Sequence, residues 1–258
     1  MQARPWPPVL ATLGPGWRGA LHSHHSLHFV LAVQGELRVR TSASGRWWSA
    51  AGVLTASDAQ HAIDADGVEI LVVFLDPESD AGATFRPGLD RPVRLLSEQE
   101  RNALVHDVIP RTLMRGGAED WVREAARTLQ VTAPAPLRTI HPGVRRLLAE
   151  LRAGGLDSAT SLEALAASVR LSPSRLMHVF TASTGIPLRP YLAWLKLQRA
   201  ARAIVNERPL GEAAHAAGFA DAAHMSRTFR RMLGIPPSSL RLLRCLPQLA
   251  ARGPVVRS

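Results

Sequence analysis

The last hundred residues of the chain repeat one phrase. Residues 176–187 read LMHVFTASTGIP, and residues 225–236 read MSRTFRRMLGIP. Each holds a Phe, four residues, then Gly-Ile-Pro: Phe180, Gly185, Ile186 and Pro187, and again Phe229, Gly234, Ile235 and Pro236, at an offset of 49. Such a repeat commits this half of the chain to two similar units. The residues around each Phe follow helical spacing. Leu176, Val179, Phe180 and Ser183 share one face, and Ser174, Met177, His178 and Thr181 lie opposite at i, i+3, i+4 and i+7. In the second copy Met225, Thr228 and Phe229 lie opposite Ala223, Ser226, Arg227 and Arg230. A helix buried on one side and open on the other can enter a DNA major groove.

Caps and breakers set the surrounding elements. Helices are predicted over roughly 143–153, then from the Ser161 cap with Glu163 in its first turn. Ser172-Pro173 opens the first repeated helix, which stops at Gly185, and a long helix follows from Pro187 to about Asn206. Pro209 opens the second set, with helices over 210–217 and from the Asp221 cap to Leu233, then a last short helix. About twenty helical residues span about 30 Å. That is close to the roughly 34 Å between successive major-groove faces on one side of a duplex.

Charge separates this half from the rest. Residues 1–137 carry 13 Lys+Arg against 15 Asp+Glu, a net of −2, whereas residues 138–258 carry 18 against 6, a net of +12. One half suits a polyanion and the other does not. Thirty of the 31 basic residues are Arg, Lys196 being the exception; Arg suits bidentate contacts to phosphate and guanine, but genomic codon bias accounts for most of that ratio and not for the segregation of charge. An all-helical scaffold for protein partners is the competing reading of the repeat, and it gives no reason for the basic excess.

The first half is β-rich. FVLAV (29–33), ELRVRT (36–41) and VEILVVF (68–74), broken by Gly and Asp, predict a compact antiparallel sandwich or barrel. From residue 97 the pattern turns helical. Ser97 with Glu100 forms a capping box, Leu104, Val108 and Leu113 continue an apolar face, and a second helix is expected over 118–130. TAPAPLRTIHP (132–142) is a proline-punctuated linker. The 46% apolar content excludes a disordered chain, and no apolar run approaches the roughly 18–20 residues of a membrane span. MQARPWPPVL has no signal-peptide core, and Cys245 has no second cysteine to pair with. A cytoplasmic protein with no membrane partner is expected.

The stretch 161–241 resembles the DNA-binding domain of the AraC/XylS family of bacterial transcription regulators. The second unit carries Ala214-x-x-x-Gly218-Phe219, then Asp221, Ser226-Arg227, Phe229-Arg230, Gly234, Pro237 and Arg241. The first carries LEALAASVRLSPSRLMHVFTASTGIPLRPYLAWLKLQRA, including Tyr191. Met225 stands where an aromatic is common and Leu240 where Tyr is usual, both apolar exchanges. The resemblance implies base-reading positions at Ser174, Met177 and His178, and at Ala222, Ala223, His224, Ser226 and Arg227. Arg227 is the leading candidate for guanine O6/N7. Arg175, Lys196, Arg199, Arg202 and Arg230 are candidates for phosphate contacts or solvated charges.

GALHSHHSLHFVLAVQG (19–35) resembles the first motif of the cupin barrel, with His22 and His24 as its HxH pair and Gly35 as its last glycine. His28 stands where the motif has Glu, and His61, in GVLTASDAQHAID, fits the later histidine. His22, His24, His28 and His61, with Trp17, are therefore candidates for an effector pocket, and the four imidazoles for a divalent transition metal. Trp47 and Trp48 are candidates for the same cavity or for core. The segment DPES (76–79) with Gly82 resembles the stretch that leaves the barrel in such regulators.

The expected fold is α+β and multidomain. A cupin-like sensor β-barrel (1–96) with a flanking helical pair (97–131), for dimerisation or packing on the barrel, precedes the linker (132–142). An all-α double helix-turn-helix domain (143–245) follows. The expected function is a non-enzymatic, sequence-specific regulator, mostly an activator. Its expected partners are promoter DNA, a small-molecule effector, RNA polymerase and a second copy of the chain. The alternative is a metal-binding cupin sensor or enzyme fused to a DNA-binding domain.

Overall fold

A computed structural model describes residues 8–86, 89, 91–105, 118–131, 139–153, 160–242 and 244–245. Val108, Leu113, most of the predicted linker and the Gly154-Gly155 stop lie outside these residues. The chain divides into two compact units, one built on β-sheets and one helical.

The sheet unit holds strands β1 (Val9–Pro15), β2 (Leu27–Ala32), β3 (Leu37–Arg40), β4 (Trp48–Ala50), β5 (Gly52–Thr55), β6 (Ala62–Asp64), β7 (Glu69–Leu75), β8 (Val93–Leu96) and β9 (Arg244–Cys245). Six of them form an antiparallel sheet in the order β8-β5-β2-β7-β1-β9, and β4-β3-β6 form a second sheet. The unit also holds helices α1 (Asp80–Phe85), α2 (Glu98–Val105) and α3 (Ala118–Thr128).

The alternation of side chains along each strand sends them into two cores. Phe29, Leu31, Leu54, Leu71, Val73 and Leu75 pack with Phe85, Leu104, Trp121 and Ala125 of the helices. Val30, Val53, Ile70 and Val72 pack with Leu37, Val39, Ala50 and Ile63 of the small sheet. Strand β2 lies mid-sheet with both faces covered, so all six of its residues are buried. This is why FVLAV reads as a continuous apolar run without alternation. A closed barrel was expected, but the described strands form two stacked sheets. Among the described strands, the three of the small sheet pair with one another and not with the large sheet, and helices occupy the other face of the large sheet.

Local chemistry fixes the helices. Ser97 and Glu100 form the reciprocal capping box: Glu100 N donates to Ser97 Oγ, and Ser97 N donates to Glu100 Oε2. Arg101 is buried, and its guanidinium donates to the carbonyls of Ala32 and Gly35, which ties α2 to the end of β2. The apolar faces of α2 and α3 are turned onto the large sheet. Helix α1 went unread in the sequence. It is six residues long and starts just after Pro77, with the Ser79 hydroxyl accepting from Gly82 N.

The helical unit holds α4 (Pro142–Ala153), α5 (Leu162–Ser168), α6 (Pro173–Thr184), α7 (Leu188–Val205), α8 (Leu210–Ala216), α9 (Ala222–Leu233) and a 3-10 turn (Pro237–Leu242). These match the predicted helices to within a residue or two. The Arg244–Cys245 strand pairs with Thr12 and Leu13 of β1. The repeat has one irregularity. Four residues separate α5 from α6, but five separate α8 from α9. The offset of 49 therefore holds from the second helix of each unit onward and falls to 48 for the first.

Candidate DNA interface and histidine pocket

The α6 and α9 faces follow the sequence pattern. Leu176, Val179, Phe180 and Ser183 are buried, and so are Met225, Thr228 and Phe229. Phe180 meets Tyr191 of α7 edge-on at 5.2 Å between ring centres, within a core that also takes Leu147, Leu151, Leu165 and Leu195. The Ser172 hydroxyl accepts from Arg175 N to cap α6, and Pro173 occupies its first turn. Gly185 ends the helix with φ +82°, and its equivalent Gly234 has φ +69°, so both repeated glycines hold the left-handed conformation that favours Gly.

The opposite faces are open. Ser174, Arg175, Met177, His178 and Thr181 are exposed on α6, as are Ala223, His224, Arg227 and Arg230 on α9. Ala222 and Ser226 are half-buried. Met177 stands out as a large apolar side chain left 47% exposed. Asp221 caps α9 by accepting from His224 N at 2.6 Å. That hydrogen bond, with Arg227 nearby, holds its carboxyl below the usual range. The α9 face presents Arg227, Arg230 and Arg231, while α6 presents Arg175 as its one exposed cation. The two units are therefore built alike but charged differently.

Two of the candidate phosphate contacts change role. Arg199 is only 2% exposed, and its Nη2 donates to the carbonyl of Leu151, so it is a core residue joining α7 to α4. A guanidinium stem on the inward face of α7 was not separable by sequence from an outward one. Lys196 Nζ donates to the carbonyl of Gly218 at 2.9 Å, closing the end of α8. Arg175, Arg202 and Arg230 remain at the surface.

In the sheet unit, His22, His24, His28 and His61 come together, all buried. His22 and His61 face each other across an isolated antiparallel bridge, each N–H donating to the other's carbonyl at 2.9 Å. Their rings lie 4.2 Å apart by centre. His28, on the inter-sheet face of β2, lies 4.6 Å from His24 and 4.8 Å from His61 and stacks on Phe74 at 5.7 Å. Nitrogens of His22, His24 and His61 all fall within 4.8 Å of one another. The Nδ1 atoms of His22 and His61 are hydrogen-bonded to the carbonyls of Ala20 and Ala59, which leaves Nε2 of each for a ligand. The Nε2 of His61 is buried with no hydrogen-bond partner.

Burial keeps these rings neutral. It lowers His22, and burial with mutual repulsion holds His24 and His28 well below the ordinary histidine value. Burial and the nearby His22 bring His61 down to about 3. Neutral imidazoles are the form that ligates a metal or accepts a hydrogen bond. Trp17 and Trp48 pack with the inter-sheet core; Arg46 lies over Trp48, and Arg38 and Arg40 lie over Trp47.

A fifth histidine escaped the sequence reading. His25 is buried, with Nδ1 2.8 Å from Asp58 Oδ2 and Nε2 2.8 Å from Glu78 Oε1. Burial alone would lower it, but the two carboxylates override this and raise it to about 9. Its partners are distant in the chain, so no local signal marked it. Asp58 holds φ +61°, fixed by its N–H donating to the carbonyl of His24.

Comparison with known proteins agrees with this geometry. A family described as "Helix-turn-helix domain" matches residues 165–242. The arabinose operon regulatory proteins of Salmonella typhimurium and Escherichia coli are each 34% identical over 89 residues, 33% of this chain. The match spans less than a third of those relatives, 31% and 30% of their length. Among solved structures, a variant of ToxT from Vibrio cholerae in its apo form is similar, with TM-score 0.62 at 10% identity, over 93% of this chain and 100% of that one. Wild-type ToxT with an unsaturated fatty acid bound gives TM-score 0.57 at 11% identity, over 91% and 95%. At such identities the likeness is one of fold. Residues 165–242 of the helical unit thus match the helix-turn-helix domain family, and this stretch is similar to part of the arabinose operon regulatory proteins.

Proposed function

We propose that the chain is a sequence-specific, DNA-binding transcription regulator, acting mostly as an activator, and not an enzyme. The observation that carries this reading is the doubled helix with a buried face and an open polar or basic face, within a half of net charge +12. Helices α6 and α9 enter successive major-groove segments, and α7, at about 27 Å, spaces them. The sheet unit is a cupin-like sensor. Its effector binds at the histidine pocket and favours one of two arrangements of the chain, which requires different affinity for each. ToxT with its fatty acid is a precedent for a small-molecule effector on this fold. RNA polymerase and a second copy of the chain complete the partners, in the cytoplasm.

A gel-shift titration at fixed salt tests the reading. Promoter DNA is expected to bind more tightly than random duplex, and equal affinity for both refutes it. Arg227→Ala is expected to weaken specific binding by about 1–3 kcal/mol and to relax preference at one base pair. A uniform loss over all sequences would make Arg227 a phosphate contact instead.

The histidine pocket favours a second reading, in which the effector is, or includes, a divalent metal. His22, His24 and His61 fit one: three buried neutral imidazoles, two with Nδ1 held by carbonyls and one with an orphaned Nε2. Elemental analysis of the purified chain tests this. Metal that disappears in a His22/His24/His61 triple Ala variant supports it, and metal-free protein that binds DNA normally dismisses it.

A further inference from the structure

The histidine pocket contains a fourth ring, and the candidate ligand group found among the described residues includes no acid. His28 is buried beside His24 and His61, and its Nδ1 has no hydrogen-bond partner. The charged groups that influence His28 are His61 and His22, and those that influence His61 and His24 are likewise histidines. Asp58 and Glu78 are turned onto His25 instead, one at each ring nitrogen. Glu78 and His25 are both buried. This wall group sets two carboxylates against one imidazole. It also borders the pocket directly, since His25 follows His24 and Asp58 N donates to the His24 carbonyl.

We propose that this pocket selects zinc, copper or nickel over manganese and magnesium. In this scheme His28 sets the choice, and the Asp58–His25–Glu78 group supplies the compensating charge from outside the ligand shell. The inference rests on the metal reading above. Imidazole suits the later first-row ions, whereas manganese and magnesium prefer carboxylate, carbonyl and water oxygens. A carboxylate at position 28 would add both an oxygen donor and a negative charge at the metal; an imidazole adds neither. Neutral rings leave the ion's charge uncancelled in a buried site, which is costly unless opposite charge lies close by. The two carboxylates on His25 provide it without offering a ligand to harder ions.

Dialysis of the full-length chain against equimolar zinc and manganese, with bound metal read by elemental analysis, tests this. About one zinc per chain and little manganese is expected, with the zinc lost in His22→Ala. His28→Glu is expected to raise the manganese-to-zinc ratio about tenfold or more. His28→Leu, which supplies no donor atom, is expected to weaken zinc without helping manganese. Asp58→Asn is expected to weaken zinc about tenfold. Each is read by cobalt substitution and visible absorption, with circular dichroism confirming the fold. Equal loading of manganese and zinc in the native chain, or an unchanged ratio in His28→Glu, overturns the selectivity and leaves the metal reading standing. A folded chain that retains no metal of any kind overturns both.

Discussion

Acid should unfold the sheet unit steeply, and the histidine pocket is the reason. His24, His28 and His61 are neutral in the fold, with His61 near 3 and the other two well below the ordinary value. In the unfolded chain each titrates near 6.5. A group whose folded value is depressed gives stability that is present above the unfolded value and lost as pH falls below it. His61 therefore forfeits about 2 kcal/mol between pH 7 and pH 5, and His24 and His28 add loss in the same direction. His22 is lowered as well and adds loss in the same direction. His25 works the opposite way. Its folded value of about 9 makes its stabilisation complete only below 6.5, so it returns about 1 kcal/mol over the same interval. His61 and His25 alone leave a net loss of about 1 kcal/mol, and His22, His24 and His28 all add to it. The assay is urea unfolding followed by tryptophan fluorescence in a Trp194→Phe background, which leaves the described tryptophans only in the sheet unit. Between pH 6 and pH 5 the slope should be steeper than one histidine can give, and His28→Gln should reduce it. A slope no steeper than a single histidine's, about 1.4 kcal/mol per unit, refutes a neutral buried cluster. Above neutrality the same curve should fall again as pH rises through about 9 and His25 loses its proton.

Phe180→Ala and Phe229→Ala should each cost about 3–5 kcal/mol, since both rings are fully buried at matching places in the two units; calorimetry measures this. Gly185→Ala should cost about 1–2 kcal/mol, because φ +82° is unfavourable for any residue with a Cβ, and thermal unfolding reads it. Arg199→Met should lower stability but leave the salt dependence of DNA binding unchanged, whereas exposed Arg230→Ala should reduce that slope by about 1. A change in salt slope with Arg199→Met would place that guanidinium on DNA after all.

The helical unit was largely legible because its signals are local. Ser161, Ser172, Pro173, Gly185 and Asp221 mark helix ends within a few residues of where they act, and the apolar spacing of α6 and α9 assigned their faces directly. What escaped depended on distance or on small rotations. Arg199 is one helical turn from residues that face outward, and only packing against α4 shows that it is buried. The one-residue difference between the two turns was hidden because the repeated phrase begins after it. In the sheet unit the HxH spacing and His61 were visible as a pattern. His25 was not, because its meaning comes from Asp58 and Glu78, 33 and 53 residues away. The short strands β4 and β6 carry three residues each, too few for a period of two to declare itself.

The position of β2 has a consequence for mutational tolerance. A strand with one wet face accepts polar substitutions at every second residue, as β3 should at Arg38 and Arg40. Strand β2 has no such face: Phe29 and Leu31 point into one core, and His28 and Val30 into the other. A saturation scan should therefore find it intolerant at consecutive positions, with no two-residue rhythm. Within that run, His28 is the one native polar side chain, and any replacement there must satisfy an apolar strand and a ring of imidazoles at once.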